Sequence, residues 1–537
     1  MTTSPISAGF TDPTTTESEP GRYWTTANIG EATPDVLSPL CWSFWGPTME
    51  AGGRLAYCDF GILSRRELAV PTDPNQLLTA HFFGRPAMNI DFLRPLFGTM
   101  PGVTADDFER DICGRVRPGL PAERRLRRLP VILAKAPVAM ARTPGRLRAM
   151  HADQQAWWQR EVRDRTAMGD PRVRLVDAAD RFRTAFHIHV TGRFGLMAVQ
   201  GKLTKLATSA NAGDLLMPLL TGLGGIAETA LADDLWEASR GRLSIDEFVR
   251  RHGFHGPFEG NLTGRAWRED PTPVAKLLDA LGTRPDSERP REREAANTAQ
   301  RSAAVTALLG RLPAWRRRSA SRACAALVRA TQYNELGKAG YLMALDGGRA
   351  AARDLGRLLV DGGELDEVDD VFYFTLDELR DGLPVDARGL VAFRRSRREE
   401  YRRFEMPVTF TGTPTPIVRD LQVEADADVV VAGAAGAAGS VEGPARVVLD
   451  PDDDLEPGEV LVCRFTDPSW TPVMMIAAGL VIDIGGPASH GAIVARELGV
   501  PCVIGTNDGT ARIRTGDLVR LDGTAGTVTV LKRGETS

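Results

Sequence analysis

The chain has 537 residues, of which 43% are hydrophobic and 25% charged, and its formal net charge is −4 at pH 7. This length exceeds one ordinary core and indicates about two to four domains of globular composition. The charge balance gives no basic field that would attract nucleic acid or an acidic membrane surface. No run approaches the roughly 18 consecutive apolar residues of a membrane-spanning helix. We therefore expect neither nucleic acid nor a membrane as a partner.

The six cysteines lie far apart and form no C-x-x-C pair. This spacing argues against a zinc site and against a disulfide framework, so we predict no metal ligands and a cytoplasmic location. Residues 1–22 are rich in Thr, Ser, Pro and Glu and lack the apolar stretch of a signal peptide. They predict a disordered tail.

Residues 23–424 have mainly helical periodicity and predict a largely helical body. Apolar residues recur three and four apart over 155–167 and 175–197, which indicates one helix in each range. Residues 283–300 are charged and interrupted by proline, which favours an exposed connection.

Four other segments of the body carry weaker signals. Residues 369–375 predict a short strand, and the basic run 394–403 predicts a helix with a solvated face. Gly222–Gly225 follows no predicted strand, so a tight turn between helices is favoured over a nucleotide loop. The aromatic residues near the start fit either a core or an apolar pocket for a bulky substrate: Trp42, Phe44, Trp45, Phe82 and Phe83.

The pattern changes near residue 425. Residues 425–439 include a Gly/Ala repeat that predicts a flexible hinge. Beyond it, turn pairs such as Asp522-Gly523 separate short runs typical of strands, which predicts a compact β/α domain over 440–533. The predicted strands are 445–449, 459–465, 480–484, 502–504, 518–521 and 526–531.

Residues 485–497 are the most informative segment. A glycine pair follows the apolar run 480–484, and Ser489 and His490 then open an amphipathic stretch. We predict a strand-turn-helix corner that places an imidazole beside the free N–H groups of a helix N-terminus, where negative charge is stabilised. Because neutral imidazole is nucleophilic near pH 7, we interpret His490 as a phosphoryl carrier, with Ser489 as helix cap and Gly486 beside the phosphate. The alternative is a capping or buried histidine on a stable turn.

This C-terminal block closely resembles the phosphohistidine swivelling domain of the phosphoenolpyruvate-utilising (dikinase) family. The matching stretches are 439–447, 455–462, 466–472, 485–497 and 499–506. In that family the histidine of the G-G-x-x-S-H motif carries the phosphoryl group, which implies that role for His490. The resemblance also implies the β/β/α architecture of a swivelling domain, joined to a mostly α-helical substrate-binding body.

The body is similar, more weakly, to the substrate-binding domain of rifamycin phosphotransferase-type members. Where the family usually has His-Arg before Gly-Pro, this chain has Phe254-His255, and where it usually has R-E-x-x-K, this chain has 334–338 with Asn first. An arginine is lost at each place, which alters the phosphate clamp, because arginine grips phosphate in a bidentate way. His255 stands where the family has an arginine and could take over part of its role. We predict His255, Glu335 and Lys338 as catalytic residues, and Glu259, Arg265 and Arg268 as binding residues.

The chemistry of these residues is consistent with those roles. Glu335 and Lys338 lie one helical turn apart, so that the lysine could neutralise a phosphoryl group while the glutamate orients it or deprotonates a hydroxyl. His255 or Glu259 could act as a base, and Arg265 and Arg268 could donate to phosphate. The alternatives are a surface ion pair on the helix and a network that merely holds the loop.

The resemblance implies a dikinase-like phosphotransferase. No ATP-grasp or (β/α)₈ pattern is visible before residue 425, so ATP and Mg²⁺ are expected on an ATP-grasp partner acting in trans. Phospho-His490 would then pass its phosphoryl group to a hydroxyl of a small organic acceptor, such as a secondary metabolite. Two alternatives remain open: a non-transferring binding relative, and an enzyme that catalyses elimination or dehydration of an activated metabolite.

Overall fold

The computed structural model describes residues 9–27, 29–33, 35–100, 103–121, 126–165, 169–225, 227–286, 289–418, 430–449, 455–466, 470–486 and 489–534. The chain forms two compact units. The first comprises Met1–Gly195, Gly260–Gly264 and Leu336–Arg419, and the second comprises Leu196–Glu259, Arg265–Glu335 and Asp420–Ser537.

The elements are numbered in chain order. The α-helices are α1 (Ile29–Ala32), α2 (Pro39–Asp59), α3 (Ile90–Gly98), α4 (Ala105–Cys113), α5 (Leu129–Trp158), α6 (Pro171–Ser209), α7 (Leu216–Leu220), α8 (Ala227–Ser239), α9 (Ile245–His252), α10 (Thr272–Gly282), α11 (Pro290–Arg311), α12 (Ala314–Asp361), α13 (Leu376–Asp381), α14 (Ala387–Arg402), α15 (Thr471–Ile476), α16 (His490–Leu498) and α17 (Gly509–Arg512). The strands are β1 (Tyr23–Thr25), β2 (Thr79–Phe82), β3 (Arg85–Asn89), β4 (Phe404–Glu405), β5 (Thr409–Thr411), β6 (Ile417–Val418), β7 (Val430–Ala432), β8 (Ala434–Ala437), β9 (Ser440–Val447), β10 (Val460–Cys463), β11 (Gly479–Ile482), β12 (Cys502–Ile504), β13 (Leu518–Asp522) and β14 (Thr527–Lys532).

The first unit packs its helices around aromatic side chains. Trp45 of α2 meets Phe182 of α6 and Tyr341 of α12 edge to face, and its Nε1–H donates to the Gly260 carbonyl at 2.7 Å. A four-stranded sheet in the order β2-β3-β1-β5 lies in the same unit. Of the aromatic residues near the start, Phe44, Trp45 and Phe82 are fully buried, so core packing accounts for them rather than a substrate pocket.

Part of the predicted disordered tail is ordered. Residues 1–8 lie outside the described residues, whereas 9–22 are described and belong to the first unit. The Tyr401 hydroxyl donates to Asp12 at 2.6 Å, and the Trp24 indole N–H donates to Ser18 at 2.8 Å. These two hydrogen bonds to buried aromatic residues hold a segment whose composition alone indicates disorder.

The basic run 394–403 does not form a fully solvated helix face. In α14, Arg394 is buried and forms a two-pronged ion pair with Glu378, and Arg398 is buried and donates to the Val36 carbonyl at 2.9 Å. The prediction was wrong because these arginines satisfy carbonyl and carboxylate groups inside the unit.

Two further segments differ from their predictions. Residues 369–375 are not a strand, because Val368–Tyr373 form a 3₁₀ helix capped by Glu367. Most of the predicted connection 283–300 belongs to α11, with Pro290 in its first turn, where proline is tolerated. Arg289, just before this helix, pairs with Asp233 at 2.9 Å.

The second unit joins helices to an eight-stranded sheet of order β7-β14-β13-β9-β10-β11-β12-β8. Strands β9, β10, β11 and β12 run parallel to one another, and the other pairs in the sheet are antiparallel. The strands predicted from the sequence correspond to β9 to β14. A mostly helical body with a β-rich C-terminal domain is therefore confirmed.

The Gly/Ala segment 425–439 does not form a hinge where the structure describes it. Residues 425–429 lie outside the described residues, but β7 pairs with β14 and β8 pairs with β12, at the two ends of the strand order. The chain crosses between them at Gly433, whose N–H donates to the Gly526 carbonyl at 2.9 Å. A Cβ on Gly433 would lie 2.7 Å from the Ile504 carbonyl oxygen, and one on Gly436 would lie 2.7 Å from the Cys502 sulfur. The small residues permit close packing.

Replacing Gly433 with alanine distinguishes a packed crossing from a flexible joint. We expect Gly433→Ala to lower the free energy of unfolding of the second unit by about 1–3 kcal/mol, because the added methyl group meets backbone. The matched control is Gly201→Ala in α6, where a Cβ meets nothing within 4 Å. This control should raise stability by about 0.5–1 kcal/mol. Urea unfolding measures the stability of both variants. A Gly433→Ala protein as stable as the wild type would support the flexible hinge that the sequence predicts.

Candidate functional site

His490 is the first residue of α16, the helix that follows β11, an inner strand of the parallel set. β11 lies between β10 and β12, so the loops at the carboxyl ends of these strands share one edge of the sheet. Such an edge is where α/β sheets bind ligands. The Ser489 hydroxyl caps α16 by accepting from the Ala492 N–H at 3.5 Å, and the Ser489 N–H donates to the Gly486 carbonyl at 2.9 Å. The side chain of His490, like residues 487–488, lies outside what the structure describes.

Asp483 ties this turn to the next loop, a role that the sequence analysis missed. Its carboxylate accepts from the Thr506 hydroxyl at 2.6 Å and from the hydroxyl and the N–H of Thr510. Burial raises its pKa, and the same hydrogen bonds oppose that rise. Gly485 follows with φ of 138°, a region open to glycine. A carboxylate inside the otherwise apolar run 480–484 was the available signal.

His255 and Glu259 form a buried pair in the loop after α9. The imidazole Nδ1 and Glu259 Oε2 are 2.7 Å apart, and the two residues are 8% and 4% exposed. The loop returns on itself, since the Trp267 N–H donates to the His255 carbonyl at 2.7 Å. Gly256 permits this turn, because a Cβ there would lie 2.2 Å from the Arg265 carbonyl oxygen. The carboxylate fixes the orientation of the ring, as in acid–base dyads.

A chain of contacts links this loop to the His490 turn. Phe258, next to Glu259, lies 6.4 Å from the ring of Phe465, which follows β10. The neighbouring Thr466 lies beside the start of α16, since a Cβ on Gly491 would come within 2.4 Å of its hydroxyl. Phe258 has φ of 54°, which is strained for a bulky residue and is found at functional sites.

Arg265 and Arg268 occupy different environments. Arg265 is exposed, whereas Arg268 is half-buried and has Glu269 within 3.8 Å. The Arg268 N–H donates to the Gly253 carbonyl at 3.0 Å, which helps to close the loop. Their roles in phosphate binding stay predictions.

Glu335 and Lys338 lie on α12 as predicted, and the division between the two units falls between them. Glu335 Oε1 accepts from the amide group of the buried Asn334 at 3.1 Å. One turn earlier, Gln332 donates to the Gly224 carbonyl at 2.9 Å, in the turn between α7 and α8. Asn334 stands where the resemblance expects an arginine, and it donates this hydrogen bond to the neighbouring Glu335 carboxylate.

The C-terminal end of α16 is held by polar contacts that the sequence did not reveal. The Glu497 carboxylate accepts from the Gly222 and Leu223 N–H groups at 2.9 and 3.3 Å. Asn297 of α11 donates to the Arg496 and Glu497 carbonyls at 3.1 and 3.2 Å, and Arg293 donates to the Leu498 carbonyl. We call these contacts the α16 clamp. Burial raises the pKa of Glu497, which the two amides oppose.

Two negative findings apply to the residues that the structure describes. Within those ranges, no group of three or more His, Cys, Asp or Glu side chains could hold a metal ion. Among the helices there, none combines the length and apolar character that crossing a bilayer requires.

Two known domain families match the chain. Residues 455–526 match the PEP-utilising enzyme mobile domain, and residues 202–335 match the rifampicin phosphotransferase fourth domain. The first covers the strands around His490, and the second covers the helices from the end of α6 to Glu335.

Curated relatives extend the same finding. A rifampicin phosphotransferase of Streptomyces sviceus is 30% identical over 370 residues, which cover 66% of this chain and 41% of that protein. Chondramide synthase of Chondromyces crocatus is 34% identical over 303 residues, covering 50% of this chain and 8% of that protein. An uncharacterised protein of Mycobacterium tuberculosis is 40% identical over 185 residues, covering 34% and 21%. The chain spans less than half the length of these relatives.

Residues 455–526 are thus similar to the mobile domain of the PEP-utilising enzymes. Over 66% of its length the chain is similar to a rifampicin phosphotransferase, and residues 202–335 match a domain of that class. Among solved structures, an NMR structure of Enzyme I is 13% identical and aligns 62% of this chain with 79% of that one, at a TM-score of 0.15, too low to indicate a shared fold.

The raised pKa of Glu497 predicts a pH-dependent stability. Its native pKa exceeds the value near 4.5 expected when unfolded, so the native state binds more protons and loses stability as pH rises from about 4.5 through the native pKa. Glu497→Gln mimics the protonated carboxyl and should lack this loss. The difference in unfolding free energy should therefore grow with pH in favour of Glu497→Gln, by about 1.4 kcal/mol per unit of pKa shift. Urea unfolding at pH 4.5, 6 and 8 tests this, and a difference independent of pH would contradict it.

Proposed function

We propose that this chain is a phosphotransferase component that relays a phosphoryl group through His490 to a hydroxyl of a small organic acceptor. The observation that carries the proposal is the position of His490. It is the first residue of a Ser489-capped helix that follows an inner parallel strand, in a domain that matches the PEP-utilising mobile domain. The N–H groups and dipole of that helix end stabilise phosphoryl charge.

The relay has two steps. In the first, an imidazole nitrogen of His490 bonds to phosphorus while a phosphoanhydride P–O bond of the donor breaks. In the second, the acceptor oxygen bonds to phosphorus while the N–P bond breaks, which regenerates the imidazole. The hydroxyl proton then passes to a base. We propose His255 as that base, because Glu259 holds its Nδ1 and leaves Nε2 to take the proton.

The proposed donor is ATP with Mg²⁺, bound by an ATP-grasp protein acting in trans, as the resemblance implies. Magnesium would neutralise charge on the transferring phosphates. The described residues offer no three-residue metal cluster, so none of the steps above is assigned to a metal held by them. Relatives named rifampicin phosphotransferases support a small organic molecule as the acceptor class.

Labelling tests the first step. The wild type, mixed with Mg²⁺, a candidate ATP-grasp protein and ATP labelled at the β-phosphorus, should gain an acid-labile label. His490→Ala should gain none, because the nucleophile is gone. His151→Ala is the control, since that histidine lies on α5 outside the site, and it should be labelled like the wild type. Equal label in His490→Ala would refute the carrier role.

Transfer from phospho-His490 to the acceptor tests the roles of His255 and Glu259. In His255→Asn, His490 should still accept phosphate, whereas its transfer to an acceptor should slow by about 10²–10⁴-fold, the usual contribution of a general base. Glu259→Gln should show the same split to a smaller extent. Single-turnover decay of labelled protein with rifampicin, tried first as acceptor, measures this rate.

The matched control for the dyad is His252→Asn, which breaks another histidine–carboxylate pair, to Asp234 at 2.9 Å in the same region. Equal slowing in His252→Asn and His255→Asn would show that the loop is only structural.

A further inference from the structure

One stretch of the second unit carries positive charge alone. Residues 295–334 contain seven arginines and no Asp or Glu, whereas the formal net charge of the whole chain is −4. The stretch covers most of α11 and the first part of α12. The remaining residues therefore carry all the negative side chains of the protein, and the proposed transfer does not use these arginines.

Within this stretch, one face of α12 forms an exposed stripe. The spacing of its members alternates between three and four residues, which places them along one side of the helix. We call them the α12 stripe: Trp315, Arg318, Arg322, Ala325 and Arg329. All five residues are exposed, and Trp315 is 75% exposed. Over the length of the stripe the helix advances about 21 Å.

The helices behind the stripe form a firm support for it. The buried side of α12 shares one hydrophobic core with residues of α6, α7 and α11. Arg316, which lies off the stripe, donates to the Ser209 hydroxyl at the end of α6 at 3.0 Å. Among the residues that the structure describes, none forms an ion pair with Arg318, Arg322 or Arg329. Their charges are therefore available to a partner.

The α12 stripe suits a helix of another protein that carries carboxylates. A spacing of three and four residues is the seam along which two helices pack, and the small Ala325 in its middle permits close approach. Carboxylates of the partner helix can pair with the three arginines of the stripe. Trp315 provides an apolar anchor at one end, and Trp and Arg are residue types enriched at binding hot spots.

Nucleic acid fits this surface less well. A duplex longer than the stripe would extend over the rest of the chain, whose negative charge repels phosphates. A partner helix of about 15 residues ends where the arginines end. The distribution of charge therefore favours a short acidic protein segment.

We propose that the α12 stripe docks an acidic helix of the protein that phosphorylates His490. This inference rests on the proposed function, which needs a phosphoryl donor bound by a protein in trans. The stripe and His490 belong to the same compact unit. A donor protein held at the stripe thus meets the carrier at a raised effective concentration.

Binding kinetics of the full chain with the candidate ATP-grasp protein test the docking surface. Arg318→Glu/Arg322→Glu should lower the association rate constant about tenfold or more at low ionic strength, because complementary charge accelerates encounter. Trp315→Ala should instead raise the dissociation rate constant about tenfold or more, since it removes the anchor. Both variants should fold, because the replaced side chains are exposed and Glu and Ala are good helix formers.

The matched control is Arg65→Glu/Arg66→Glu, which makes the same change in net charge at two exposed arginines of the first unit. It should bind the ATP-grasp protein like the wild type, within about twofold. Equal loss of binding in the two double variants, or no binding by the wild type, would overturn the proposal. Tighter binding of an oligonucleotide through Arg318 and Arg322, or self-association through them, would also overturn it.

Labelling separates this surface from the proposed function. At limiting ATP-grasp protein, Arg318→Glu/Arg322→Glu should label His490 about tenfold more slowly than the wild type, and at saturating partner at the same rate. If the partner binds through the stripe but His490 gains no label, the proposed function fails and the docking stands. If both proteins gain label at equal rates at limiting partner, the relay stands and the docking fails.

Discussion

The structure around the candidate site depends on the burial of β11 between two parallel neighbours. Because β10, β11 and β12 run in the same direction, their carboxyl ends deliver three loops to one edge of the sheet. The loop after β11 turns at Gly485 into the capped start of α16, and Asp483 binds it to the loop after β12. The sheet core thereby fixes the backbone at the start of that helix.

The sequence reveals this part of the fold well because the signals are local. Apolar runs of four to eight residues between glycine turns predict buried strands, and a serine before an amphipathic stretch predicts a capped helix. The Gly/Ala segment shows where local signals fail. Glycine serves either flexibility or close approach, and only the tertiary contacts of Gly433 and Gly436 with β12 decide between them.

Two further failures share one cause. Charged residues usually lie at the surface. The sequence therefore predicts that Arg394 and Arg398 are solvated and that residues 283–300 form an exposed connection. In the folded chain, Arg394 meets Glu378 and Asn297 of α11 meets the end of α16, partners that are far away in sequence. Glu497 could not be identified for the same reason, since its ligands are backbone amides of the 222–225 turn and leave no side-chain signature.

The two ends of α16 favour charges of opposite sign. Its N-terminus favours an anion, which suits a phosphoryl group on the first residue. Its C-terminus disfavours one, yet Glu497 lies there. The Gly222 and Leu223 amides offset that cost, and Arg293 places a cation at the terminal carbonyl of Leu498. A carboxylate that is unfavourable on its own helix is therefore stabilised only while the 222–225 turn is present, which makes the position of α16 conditional on those helices. The two amides reduce the cost of this buried charge without removing it, because the pKa of Glu497 stays above its usual value even with both hydrogen bonds in place.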